Sequence, residues 1–267
     1  MKNASRMNGM WRWMGMRGTA LAAVVLTLGC GGAPEEQPAD ALPETQQAAL
    51  TATGDFDGDG TTDQLTTSLT GISIFHPSKG TTKFYGFTGS FAVNNTSMDL
   101  DGTVGLEVVV VTSGGISVIT DKKGTSQFYS FSGNFSIVNV SDTDGVAGAE
   151  IVTASLGGVS VIRHRSASSY FYPFSGTYQI NTVVDTNGVA GADIVVVAKN
   201  STSQGISIIH DSNRTSQYYA FSTNFTITAA CDSDGVAGAE LFISTSTNKY
   251  ILKDRTGQTT TTTQTGC

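Results

Sequence analysis

The chain has 267 residues, with 15 Lys and Arg against 22 Asp and Glu and a formal net charge of −7. All of the acidic residues but only 11 of the basic ones follow Cys30, so the part beyond it is strongly acidic. That disfavours a nucleic-acid partner, which calls for clustered, uncompensated Lys and Arg.

At the N-terminus, Lys2, Arg6, Arg12 and Arg17 precede the uncharged run TALAAVVLTLG at 19–29. This reads as a signal peptide over 1–29, since a bilayer-spanning helix needs roughly 20 apolar residues. TLGC, ending at Cys30, resembles the lipobox of bacterial lipoproteins. The resemblance implies that Cys30 is acylated and anchors the protein to a membrane. Thr27 stands where that family has Leu, Val or Ile, and ordinary secretion with cleavage nearby is the alternative. The next stretch, rich in Gly, Pro, Glu and Gln, has too little apolar area to offset the entropy of ordering, so 30–46 is expected to be a flexible tether. The expected location is therefore the outer membrane or cell surface, or, without the lipid, a soluble secreted state.

From 47 to 267 one acidic phrase recurs: DFDGDGTTD from Asp55, DLDGTVGLE from Asp99, DTDGVAGAE from Asp142, DTNGVAGAD from Asp185 and DSDGVAGAE from Asp232. Successive copies begin 44, 43, 43 and 47 residues apart. Each phrase leads into a β-branched run such as EVVVVTS, then a Gly turn, then an alternating segment such as GISVIT. A polar loop, an aromatic segment and a fourth apolar stretch complete the unit. Alternation of this kind indicates strands. Units of this size cannot bury an apolar face alone and must stack. The expectation is an all-β, five-bladed β-propeller of four-stranded antiparallel blades, spanning about 47–88, 90–132, 134–175, 177–222 and 224–265. The last unit has TTTTTQT where the others carry aromatics, either an edge strand or a frayed tail. The paired aromatics are expected to pack between blades. Cys231 and Cys267 either close the last unit as a disulfide or remain free thiols.

The phrase D-x-D-G-D-G-x-x-D at 55–63 resembles the calcium loop of FG-GAP and VCBS repeats, which integrin α-subunit propellers share. The resemblance implies that Asp55, Asp57, Asp59 and Asp63 hold Ca²⁺, an ion that takes six to eight oxygen ligands. The other copies lack the fifth-position carboxylate and offer weaker sets: Asp99, Asp101 and Glu107; Asp142, Asp144 and Glu150; Asp185, Asn187 and Asp193; Asp232, Asp234 and Glu240. Without metal, the same side chains would accept backbone N–H bonds and brace the turns.

Strands of alternating direction place a second, basic loop of every unit at the acidic end: Lys79 and Lys83, Lys122 and Lys123, Arg163 and Arg165, Arg214, Lys253 and Arg255. The opposite end, built from segments such as TSLTG and ASLGG, carries almost no charge. It suits a neutral glycan or a protein partner. No nucleophile elbow, zinc motif or phosphate-cradling loop is present, and His76, His164 and His210 fall in different units, so no enzyme is expected. The sequence thus describes a membrane-anchored calcium-binding module for adhesion or glycan binding, or alternatively an envelope protein that only binds other proteins.

Overall fold

The computed structural model describes residues 49–199 and 204–267. The signal peptide, Cys30 and the tether expected from the sequence lie outside the described residues. All described residues belong to one compact unit, Gln46–Cys267.

Five four-stranded antiparallel sheets follow one another along the chain, each a meander whose strands pair in sequence order. Blade one comprises β1 (Ala49–Gly54), β2 (Asp63–Thr67), β3 (Gly71–His76) and β4 (Thr81–Gly86). Blade two comprises β5 (Phe91–Met98), β6 (Glu107–Thr112), β7 (Gly115–Thr120) and β8 (Thr125–Ser130). Blade three holds β9 (Phe135–Ser141), β10 (Glu150–Ser155), β11 (Gly158–Arg163) and β12 (Ser168–Pro173). Blade four holds β13 (Thr177–Val184), β14 (Asp193–Lys199), β15 (Gln204–His210) and β16 (Thr215–Phe221), and blade five β17 (Phe225–Cys231), β18 (Glu240–Thr245), β19 (Lys249–Lys253) and β20 (Gln258–Thr262). This is the five-bladed β-propeller organisation that the repeats predict, and the threonine run forms β20. The first strand of every blade carries a register shift against the second. A bulge there adds local twist to the same strand of each blade.

The second and third strands of blades two to four present apolar residues to both sides, and the core is distributed over the seams. Leu65, Ile72 and Ile74 of blade one meet Val108, Val110 and Ile119 of blade two. Val109, Ile116 and Val118 meet Ile151 and Ile162; Val152, Val159 and Val161 meet Ile194, Val196 and Ile209; Val195, Ile206 and Ile208 meet Leu241, Ile243 and Leu252. Each two blades consecutive in the chain thus share one apolar interior that neither has alone.

Among the described residues no such cluster joins blade five to blade one. By ladder register, Gln64 and Thr66 stand in blade one where blade two has Val108 and Val110, and Gln64 is exposed. The corresponding outer face of blade five is covered by the chain's own end. Gly266 lies over Ala229, which pairs with the fully buried Phe242, and Thr228 Oγ1 donates to the Thr265 carbonyl. A disulfide joins Cys231 to Cys267.

The aromatic trios divide into three roles. Tyr85, Tyr129, Tyr172 and Tyr219 enter the seams. Phe87, Phe131, Phe174 and Phe221 pack on Phe91, Phe135, Tyr178 and Phe225, each at or near the start of the next blade. Contrary to the expectation that all pack inside, Phe84, Phe128, Phe171 and Tyr218 are exposed. Each lies over the glycine at or next to the start of the third strand, where a Cβ would come within 3.0 Å of the ring.

Candidate functional site

The acidic phrases form five near-identical loops. The first Asp takes backbone N–H bonds: Asp55 from Gly58, Asp59 and Gly60, Asp99 from Asp101 and Gly102, Asp142 from Asp144 and Gly145, Asp185 from Asn187 and Gly188, and Asp232 from Asp234 and Gly235. The ninth-position acid reaches back to the second N–H of its phrase. Asp63 binds Phe56 N, Glu107 Leu100 N, Glu150 Thr143 N, Asp193 Thr186 N and Glu240 Ser233 N. These bonds brace the turn whatever else the carboxylates hold. Adjacent loops are also tied across the seams, as Leu106 N to Asp55 O and Ala192 N to Asp142 O show.

The basic loops do share the acidic end. Lys79 pairs with Asp57 and lies 3.5 Å from Asp59; Lys123 Nζ is 2.6 Å from Asp101. Arg165 joins Asp144 and Glu150, and Arg255 joins Asp234 and Glu240. Arg214 instead lies over the Tyr170 ring of the preceding blade, 5.5 Å from its centroid.

Carboxylate oxygens of Asp55, Asp57 and Asp59 lie within 4.8 Å of one another, as do those of Asp99, Asp101 and Glu107 and of Asp142, Asp144 and Glu150. These acidic clusters can hold a metal ion. Asp63 groups with Asp57 and His76. The donor chemistry of the outer group, all hard oxygens, fits a calcium-like ion, provided the Lys79 ammonium, on a half-exposed side chain, gives way. A hydrogen bond from Ser78, then one from Thr61 N–H, draws the Asp59 carboxyl down to about 2. Burial works against ionisation of Asp101, but Lys123 and Thr103 outweigh it and hold its pKa below the usual range. Glu107 has no guanidinium partner like those of Glu150 and Glu240, and burial pushes it up to about 7.

The sequence singled out none of Asp121, Asp211 and Asp254, although each lies buried at a seam. They accept hydrogen bonds from Tyr85, Tyr172 and Tyr219 of the preceding blade at 2.6, 2.7 and 2.6 Å. At the remaining seam Tyr129 meets His164 Nδ1 at 3.0 Å. A recurring Asp directly after the third strand was the available signal. The three histidines fall in different blades, as the sequence placed them, and lie at strand ends or just beyond, yet His76 is only 1 % exposed and faces Asp57, Asp63 and Asp121 together.

At the outer strands of blades two and three runs an uncharged groove of about 570 Å³. Phe128, Phe131 and Phe171 line it together with Gln127, Ser130 and Ser155. Leu156, at a turn of the neutral end, borders it almost fully exposed.

No protein-family model matches this chain, and no curated protein matches it in sequence. Among solved structures it is similar to an Agrocybe aegerita lectin that recognises non-reducing terminal N-acetylglucosamine, at 10 % identity and a TM-score of 0.38, with 80 % of each chain covered. It is also similar to the WD40 domain of SCAP from fission yeast, at 15 % identity and a TM-score of 0.36, covering 79 % of this chain and 51 % of that one.

Proposed function

We propose that the chain is an exported, lipid-anchored binding module of FG-GAP-like repeats, not an enzyme, that holds neutral glycans in the groove between blades two and three. The supporting observation is that groove's chemistry. Its lining has no charged residue, exposes the Phe128 and Phe171 rings and supplies hydroxyl and amide groups. Flat aromatic faces with a few polar groups suit the apolar face and hydroxyl edge of a sugar ring. Calcium belongs to the same reading, at Asp55, Asp57 and Asp59, where it stiffens the opposite end.

Titration of the purified protein with a panel of neutral oligosaccharides tests the glycan reading. Binding that weakens at least tenfold in Phe128→Ala and Phe171→Ala is the expected result, and no binding by any member of the panel counts against it. Chelation lowers the melting temperature if calcium is held, and Asp57→Ala combined with Asp59→Ala removes that sensitivity. The second reading, a protein partner, is favoured by the exposed Leu69 and Leu156 at equivalent neutral-end turns. Cross-linking in cells that traps a defined protein, lost in Leu69→Ser with Leu156→Ser, supports it.

A further inference from the structure

We infer that Asp57, Asp63 and His76 form a seat for a divalent transition-metal ion of the Zn²⁺ class, with Asp121 of the next blade orienting the imidazole. The inference stands apart from the glycan reading; the site shares Asp57 with the all-oxygen calcium group and differs from it by the His76 imidazole.

His76 Nδ1 is 3.2 Å from Asp57 Oδ2 and 3.0 Å from Asp63 Oδ1, while Nε2 is 3.1 Å from Asp121 Oδ2. All four side chains are at least 96 % buried. Despite these distances, both ring nitrogens, Asp63 Oδ1 and Asp121 Oδ2 have no well-directed hydrogen bond. A ring N–H points in one direction, so a proton on Nδ1 cannot serve two carboxylates. Buried polar atoms left in this state call for an explanation, an ion among them. Zinc bonds of 2.0–2.1 Å in a tetrahedron set neighbouring donors roughly 3.3 Å apart, close to the separations found here. Metal-bound imidazoles almost always donate their other N–H to a carboxylate, and Asp121 is placed for that.

Blades three and five place a cation at this position, while blade two has Thr120. In blade three it is Arg163, whose Nε is 3.1 Å from Asp144 and Nη2 2.7 Å from Asp211. In blade five Lys253 and Arg255 serve Asp234. Blade four repeats the imidazole but replaces the Asp57 carboxylate with the Asn187 amide; His210 Nδ1 lies 2.9 Å from both the Asn187 amide nitrogen and Asp193 Oδ1, and one well-directed bond, accepted from the amide or donated to the carboxylate, satisfies it. Blade one therefore gathers three carboxylates around one imidazole. Lys79 on Asp57 and Lys83, 3.5 Å from Asp121, are the flanking cations, both on substantially exposed side chains. An imidazole nitrogen beside two carboxylates selects zinc, cobalt or nickel over calcium, which prefers oxygen alone.

The full-length protein, stripped with chelator, is titrated with ZnCl₂ by calorimetry and with CoCl₂ by visible absorption. One equivalent is expected to bind with imidazole in its coordination shell by X-ray absorption. Affinity falls at least tenfold in His76→Gln and 10- to 100-fold in Asp121→Asn, and is unchanged in His210→Gln. Failure of the natively folded wild type to bind either metal overturns the inference. So does a zinc shell of oxygens only, or binding that His76→Gln leaves intact.

Discussion

Tyr172 of blade three donates a 2.7 Å hydrogen bond to Asp211 Oδ1 of blade four, and Arg163 and Thr143 of blade three hold the other oxygen, Oδ2. One buried carboxylate thereby fastens two blades at the charged end of their shared core. Burial, then the bond to Asp211, raises the Tyr172 pKa, so the phenol remains a donor. Tyr172→Phe deletes a bond to a charged acceptor, a contribution of about 1.5–3 kcal/mol. Because Arg163 and Thr143 still serve the carboxylate, the loss is expected near the lower figure. Urea denaturation reads it, and an unchanged midpoint would mean that the hydroxyl adds nothing to the seam.

Glycines in the acidic loops test which seams are closed. Gly145 has φ +74°, and a Cβ there would lie 2.5 Å from the Ala190 carbonyl of the next blade. Gly235 occupies the same place in blade five with φ +73°, yet nothing lies within 4 Å. Both substitutions to Ala carry the strain of a left-handed backbone, roughly 1–2 kcal/mol, but only Gly145→Ala adds a clash with backbone. The expected result is a clearly larger fall in melting temperature for Gly145→Ala than for Gly235→Ala. Equal falls would show that blade five has a neighbour pressed against its loop.

The repeated phrases and the alternating strands made five sheets legible, because both signals are local and recur at one period. The meeting of the basic and acidic loops at one end was legible too, since strand direction alone puts them there, but the partners, such as Lys79 with Asp57 and Arg165 with Asp144, were not. The seams were harder to read. Tyr172 and Asp211 are 39 residues apart and belong to different blades, so their meeting depends on packing and not on local pattern. The missing fifth latch is nevertheless written in the chain. Thr262 stands where the other blades have the seam tyrosine, and Pro77 where blades two, four and five have the acceptor Asp. The convergence on His76 was missed for the same reason: its third carboxylate, Asp121, comes from the following blade.

The disulfide closes 36 residues around blade five, and a loop of that length corresponds to about 4 kcal/mol of chain entropy, with measured values often lower. It also holds the tail that lies on the Ala229 and Phe242 face. Cys231→Ser with Cys267→Ser is therefore expected to cost about 2–4 kcal/mol and to expose Phe242, seen as faster hydrogen exchange in β17 and β18 than in β9 and β10. If exchange accelerates evenly across all blades, the tail is not a local cover.

His164 gives the second–third seam a pH dependence with a definite sign. Its ring bridges Thr120 at 2.8 Å and Tyr129 at 3.0 Å. Burial lowers its pKa below 6.5; the nearby Asp101 raises it and Lys123 lowers it by smaller amounts. The unfolded chain takes up a proton near pH 6.5 that the folded ring refuses, so unfolding gains protons and this contribution is lost as the pH falls below that value. His164→Asn has no such group to protonate in either state. Its deficit relative to the wild type is expected to be largest at pH 7–8 and to shrink by up to about 1.4 kcal/mol per unit on acidification. His210, whose pKa is raised first by its hydrogen bond to Asp193, acts in the opposite sense: the deficit of His210→Asn grows as the pH falls towards 6. Parallel stability profiles for the two variants between pH 5 and 8 would mean that neither ring is held in the protonation state its surroundings impose.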